Sequence, residues 1–112
     1  MPQSPVILAF ESSCDDTGVA LIRGNKVLAN TVANQAIHAK FGGVVPELAS
    51  RAHIQNIVPT LDVALEESGI EVSSIDAVAY TRGPGLMGSL HVGTSFAKSW
   101  AWSHGKPMIP VN

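Results

Sequence analysis

Apolar residues fall along this chain in short blocks separated by polar or glycine-bearing stretches, and the spacing within each block predicts its element. Val6-Ile7-Leu8-Ala9-Phe10 is an almost wholly apolar run, which predicts a strand buried on both faces. Thr17 to Ile22 and Val27 to Val32 predict two more strands, with Arg23-Gly24-Asn25-Lys26 as the turn between them. Three consecutive strands with short connections make an antiparallel meander. Asn34 to Gly43 is a connector without clear period, with a flexible point at Gly42-Gly43. Pro46 then suits the first turn of a helix, where its missing N–H is not needed. Ile54, Ile57, Val58, Leu61 and Leu65 recur at helical spacing and predict the buried stripe of that helix. Pro59 falls inside the pattern and is expected to kink it, and Gly69 is placed as the C-terminal cap. Ile75 to Tyr80 predicts a strand, the glycine-rich turn after it opens a second helix, and Met108 to Val111 begins a last strand. The order is three antiparallel strands, then helix, strand, helix, strand: an α/β domain over residues 1–112.

Composition narrows the class. A chain of 112 residues holds one core and buries about two thirds of its unfolded surface. It is 46% hydrophobic and only 14% charged, which predicts apolar faces that seek partners. No apolar run approaches the roughly 20 residues of a membrane helix, and Met1 to Pro5 carries no basic segment of a signal peptide. The single cysteine, Cys14, excludes an intrachain disulfide and suits a reducing cytoplasm. Net charge is −2, and Arg23, Lys26, Lys40, Arg51, Arg82, Lys98 and Lys106 are spread along the chain rather than clustered. Composition and charge therefore give no footprint for nucleic acid.

Two stretches could carry chemistry. Glu11-Ser12-Ser13-Cys14-Asp15-Asp16-Thr17-Gly18 links two strands, so the core should hold this polar loop at a sheet end. Its hydroxyls and N–H groups can hold phosphate oxygens, and a carboxylate can hold a water on Mg²⁺; a plain polar hairpin turn is the alternative. Glu11, Asp15 and Asp16 surround Cys14, and negative charge disfavours a thiolate, which argues for a small packing residue over a nucleophile. The second stretch is Tyr80-Thr81-Arg82-Gly83-Pro84-Gly85-Leu86, where a strand runs through Gly-Pro-Gly into a helix. Such a turn presents N–H groups and a positive dipole end, the geometry of an anion site, although many turns use it for backbone reasons alone.

Inside the second helix Ser89, Gly93, Ala97 and Ala101 fall four apart, a small-residue stripe that lets another helix approach, either of this chain or of a second one. Trp100 and Trp102 add apolar area on the last turn. Glu47, Arg51 and Gln55 read as a solvated helix face. His38, His53, His91 and His104 include no pair three or four apart, so each reads as a surface or hydrogen-bonding residue, and no metal site is predicted. No residue is assigned a catalytic role.

Three blocks together carry a resemblance. Glu11 to Ala20 (ESSCDDTGVA), Gly42 to His53 (GGVVPELASRAH) and Thr81 to Leu90 (TRGPGLMGSL) are similar to signatures of the bacterial TsaD family, in that family's order and spacing. The resemblance implies one ribonuclease-H-like lobe of the actin-like ATPase architecture, with the Glu11–Thr17 loop and the Gly83–Gly85 turn facing a nucleotide cleft. It implies an enzyme that transfers a threonylcarbamoyl group from its adenylate to N6 of the adenosine beside the anticodon of tRNA. It further implies iron or zinc, adenylate or ATP as ligand, and as partners a paralogous scaffold subunit and a small ATPase. An older family label is O-sialoglycoprotein endopeptidase. In the family a His-x-x-x-His metal pair follows the Ile-Pro-Val-Asn strand, whereas this sequence stops at Asn112. The chain is accordingly expected to be an N-terminal lobe that is inactive alone, binds no cofactor fully and self-associates through exposed apolar surface. A non-catalytic paralogous scaffold, a metalloendopeptidase and an interaction module built on the Ser89–Ala101 stripe are the rival readings.

Overall fold

The computed structural model describes residues 4–13, 16–33 and 46–112, with backbone alone for 46–50 and 52. The connector at 34–43, Cys14 and Asp15 lie outside the described residues. Strands β1 (Val6–Glu11), β2 (Thr17–Arg23) and β3 (Lys26–Ala33) are followed by helix α1 (Pro46–Ser68), a 3-10 turn (Val72–Ser74), β4 (Ala77–Thr81), α2 (Met87–Ser103) and β5 (Met108–Val111). They form a five-stranded sheet in the order β3-β2-β1-β4-β5. The first three strands are the antiparallel meander the pattern predicts, and β4 and β5 add in parallel to β1. Parallel pairing puts the C-terminal ends of β1, β4 and β5 at one end of the sheet.

One face of the sheet makes the core. Val6, Leu8 and Phe10 of β1, with Val19 and Leu21 of β2, pack under Ile57, Leu61 and Ala64 of α1 and Ala97 and Ala101 of α2. Phe10 meets Phe96 of α2 edge to face, centroids 5.3 Å apart, which adds about 0.5–1.5 kcal/mol beyond area burial. The expectation that the first strand is buried on both faces does not hold. Burial alternates along β1 because both described helices pack on the same side, leaving Ile7 and Ala9 half covered.

Helix α1 starts at Pro46 and runs unbroken through Pro59 to Ser68; Gly69 follows as its cap, its N–H donating to Leu65 O at 3.1 Å. Its buried stripe is rotated from the one predicted: His53, Ile57, Thr60, Leu61 and Ala64 face inward, while Ile54 and Val58 are 62% and 49% exposed. The inward polar groups are satisfied, which is what permits the rotation. Thr60 Oγ1 donates to Asn56 O at 2.6 Å, and His53 Nδ1 lies 2.6 Å from Thr17 Oγ1. No helix among the described residues is long and apolar enough to cross a membrane.

Candidate functional site

Because β1 and β4 are parallel neighbours with Phe10 opposite Tyr80, the loop after β1 and the turn after β4 leave the sheet side by side. They are bonded to each other. Leu86 N–H donates to Ser13 O at 2.7 Å. Glu11, the last residue of β1 rather than a loop residue, accepts from Thr81 Oγ1 at 2.8 Å and from the Ser13 N–H. Ser12, only 2% exposed, reaches into α2: its hydroxyl donates to Ser89 O at 2.6 Å and accepts from Gly93 N–H at 3.0 Å. It bridges the acceptor and donor of one i→i−4 pair. At the far end of the loop, Thr17 is held to α1 by His53. The loop is thus tied to α2 at Ser12 and Ser13 and to α1 at Thr17.

The Thr17 hydroxyl is buried against His53, whereas the Glu11 carboxylate, on an exposed residue, bonds to Thr81 and to the Ser13 N–H. Of the N–H groups after the turn, that of Leu86 at the start of α2 is taken by Ser13. Gly83 and Gly85 differ in kind. A Cβ on Gly83 would meet nothing within 4 Å, whereas one on Gly85 would lie 2.7 Å from Ser13 Cβ and closer still to its carbonyl oxygen. Gly85 is there so that the turn can seat against the loop, and Pro84 is exposed beside it. Asp16 is exposed and lines, with Glu11, Gly18, Thr81 and Val111, a hollow of about 330 Å³ on the sheet face away from the helices.

The Ser89, Gly93, Ala97 and Ala101 stripe is buried within the chain, so it is not a docking face for a second helix. At Gly93 the close neighbour is the Ser12 side chain, which a local helical spacing could not reveal. Ser89 Oγ is buried without a hydrogen-bond partner, which costs about 1–3 kcal/mol. Ser89→Ala should therefore raise stability by about 0.5–1.5 kcal/mol, since it removes the orphan hydroxyl and improves helix propensity. Urea unfolding reads this directly, and a lower midpoint would mean the hydroxyl has a partner in solution. His91 is exposed, with Nε2 3.3 Å from Ser95 Oγ. Among the described residues no group of three or more His, Cys, Asp or Glu side chains comes together to hold a metal ion.

A meander of three strands extended in parallel by two helix-linked strands, with the β1–β2 loop and the β4–α2 turn together at one sheet end, defines a ribonuclease-H-like lobe of the actin-like ATPase class. The solved structure titled YeaZ from Pseudomonas aeruginosa shares this fold, with a TM-score of 0.76 at 24% identity over 96% of this chain and 44% of that one. Residues 26–112 match the family model TsaD, tRNA N6-adenosine threonylcarbamoyltransferase. The chain belongs to that family. Curated relatives of that name include proteins of Porphyromonas gingivalis, 57% identical, and Riemerella anatipestifer, 58% identical, each matched over 100% of this chain. The chain spans about a third of their length, 33% in both.

Proposed function

We propose that this lobe forms one wall of the nucleotide cleft of a tRNA threonylcarbamoyltransferase, which moves the threonylcarbamoyl group from its adenylate to N6 of the adenosine beside the anticodon. In that reaction a bond forms between N6 and the carbamoyl carbon while the carbon–oxygen bond to phosphate breaks, and AMP leaves. The observation that carries the reading is the seating of the Gly83–Gly85 turn on the Glu11–Ser13 loop through the Ser13–Leu86 bond of 2.7 Å. It makes the two motif-bearing segments one rigid surface at the end of the sheet, with the positive dipole end of α2 beneath it. Negative charge that grows on the leaving phosphate is favoured near such an end.

The metal, iron or zinc, is proposed to take its ligands from outside this lobe, and the lobe by itself is proposed to hold neither metal nor adenylate completely; among the described residues no group of three or more His, Cys, Asp or Glu side chains comes together. A paralogous scaffold and a small ATPase are its proposed partners. The groove between the helices, where exposed Ile54 and Val58 of α1 adjoin Val92 and Phe96 of α2 around about 390 Å³, supports a protein partner there. The same apolar surface supports self-association of the isolated lobe. One cysteine among 112 residues suits a cytoplasmic location.

The test is a transfer assay with purified threonylcarbamoyl-adenylate and unmodified tRNA. The whole protein with its partners should form threonylcarbamoyladenosine, residues 1–112 alone should form none, and neither should cleave a sialoglycoprotein. Turnover by residues 1–112, or cleavage in place of transfer, contradicts the reading.

A further inference from the structure

The last turn of α2 carries a surface that the nucleotide wall does not use. Trp102 is 88% exposed, whereas the other aromatic rings among the described residues, Phe10, Tyr80, Phe96 and Trp100, are buried or half-buried. Trp100, two residues earlier, stacks on His104 with centroids 4.0 Å apart and packs against the core. Among the described residues, packing therefore accounts for one tryptophan of this turn and not for the other.

Two lysines flank the exposed indole. Lys98 lies one helical turn before it on the same side. Lys106 is brought round by the helix end, where Gly105 at φ 65° lets Lys106 N–H reach Ala101 O at 2.8 Å and Gly105 N–H reach Trp102 O at 3.2 Å. This reciprocal pair is a Schellman cap, and it favours glycine because only glycine takes that backbone conformation without strain. Lys98, Trp102 and Lys106 then line one shallow hollow with Ala101 and Met108, and among the described residues no carboxylate lines it. In a chain of net charge −2, two cations around an open aromatic face are a local feature.

We propose that this surface binds RNA, with an unpaired base stacked on Trp102 and the flanking phosphates held by Lys98 and Lys106. The chemistry is that of single-strand recognition, in which an aromatic face takes a base and nearby cations take the backbone. The proposal rests on the reading that tRNA is the substrate. It adds a binding surface at the opposite end of α2 from the nucleotide wall, about 25 Å away for a helix of 17 residues. The partner is the RNA itself, since an acidic protein surface would match the lysines but not require the bare indole.

Binding of unmodified tRNA to the whole protein, followed by fluorescence anisotropy across a salt series, tests it. Trp102→Ala should weaken binding about tenfold and Trp102→Phe should keep most of the affinity, because stacking needs only a π-face. The double substitution Lys98→Ala, Lys106→Ala should lower the slope of log affinity against log salt by roughly 1.4, about 0.7 for each phosphate that is no longer neutralised. Lys98 and Trp102 are exposed and Lys106 is half-buried, so thermal unfolding should change little. Wild-type binding that is indifferent to every one of these variants overturns this proposal and leaves the transferase reading intact. A loss seen equally with polyglutamate also overturns it, by showing an acidic-protein site. A wild-type protein that binds no tRNA at all removes the transferase reading together with it.

Discussion

Gly85→Ala should destabilise the protein by about 1–3 kcal/mol, the usual result of forcing a methyl group into a filled site, and should weaken adenylate binding at least as much. The added Cβ would collide with the backbone of Ser13, which cannot swing aside as a side chain tip would. Relief requires the turn to lift off the loop and stretch the Leu86–Ser13 bond, which joins the two segments. Gly85 does not sit at positive φ, so the effect is steric and not a matter of backbone strain. Gly83→Ala is the control: its Cβ would meet nothing within 4 Å, and stability should change by no more than about 0.5 kcal/mol. Urea unfolding and calorimetric titration with adenylate separate the two variants. Equal effects would show that the turn is not seated as described.

His53→Ala should be at least as damaging, about 2–4 kcal/mol, because removing the imidazole leaves both a cavity and a buried hydroxyl without its partner. Both His53 and Thr17 are fully buried and 2.6 Å apart. The damage should extend to the loop, because Thr17 ties its far end to α1. His53→Asn, which offers a polar atom near the position of Nδ1, should recover part of the loss. Unfolding free energies of the two variants check the order, and an Ala variant as stable as the parent would contradict the pairing.

Much of the fold was legible from local signals. The meander follows from three apolar runs with turn residues between them, α1 begins at Pro46 and ends before Gly69, and β5 lies where Met108 to Val111 placed it. The phase of α1 was not legible. Its buried stripe includes His53 and Thr60, whose inward position depends on bonds to Thr17 and Asn56, and a pattern read from apolar residues alone turns instead toward Ile54 and Val58. The site was legible as two segments and not as a joined one. Glu11 meets Thr81 across 70 positions, and Ser12 meets Gly93 across 81, pairings set by the β1–β4 register. The tight spacing of Ser89, Gly93, Ala97 and Ala101 did announce a close approach, but of a loop serine at Gly93 and not of another helix.

The central claim is that the β1–β2 loop and the β4–α2 turn act as one surface toward a nucleotide. Hydrogen–deuterium exchange of the whole protein with and without adenylate measures this segment by segment. Protection should rise together in the peptides covering residues 11–18 and 82–88, and stay unchanged around Gly24 and Gly105 at the other end of the sheet. Protection of only one of the two segments, or of neither while adenylate is demonstrably bound, would contradict it.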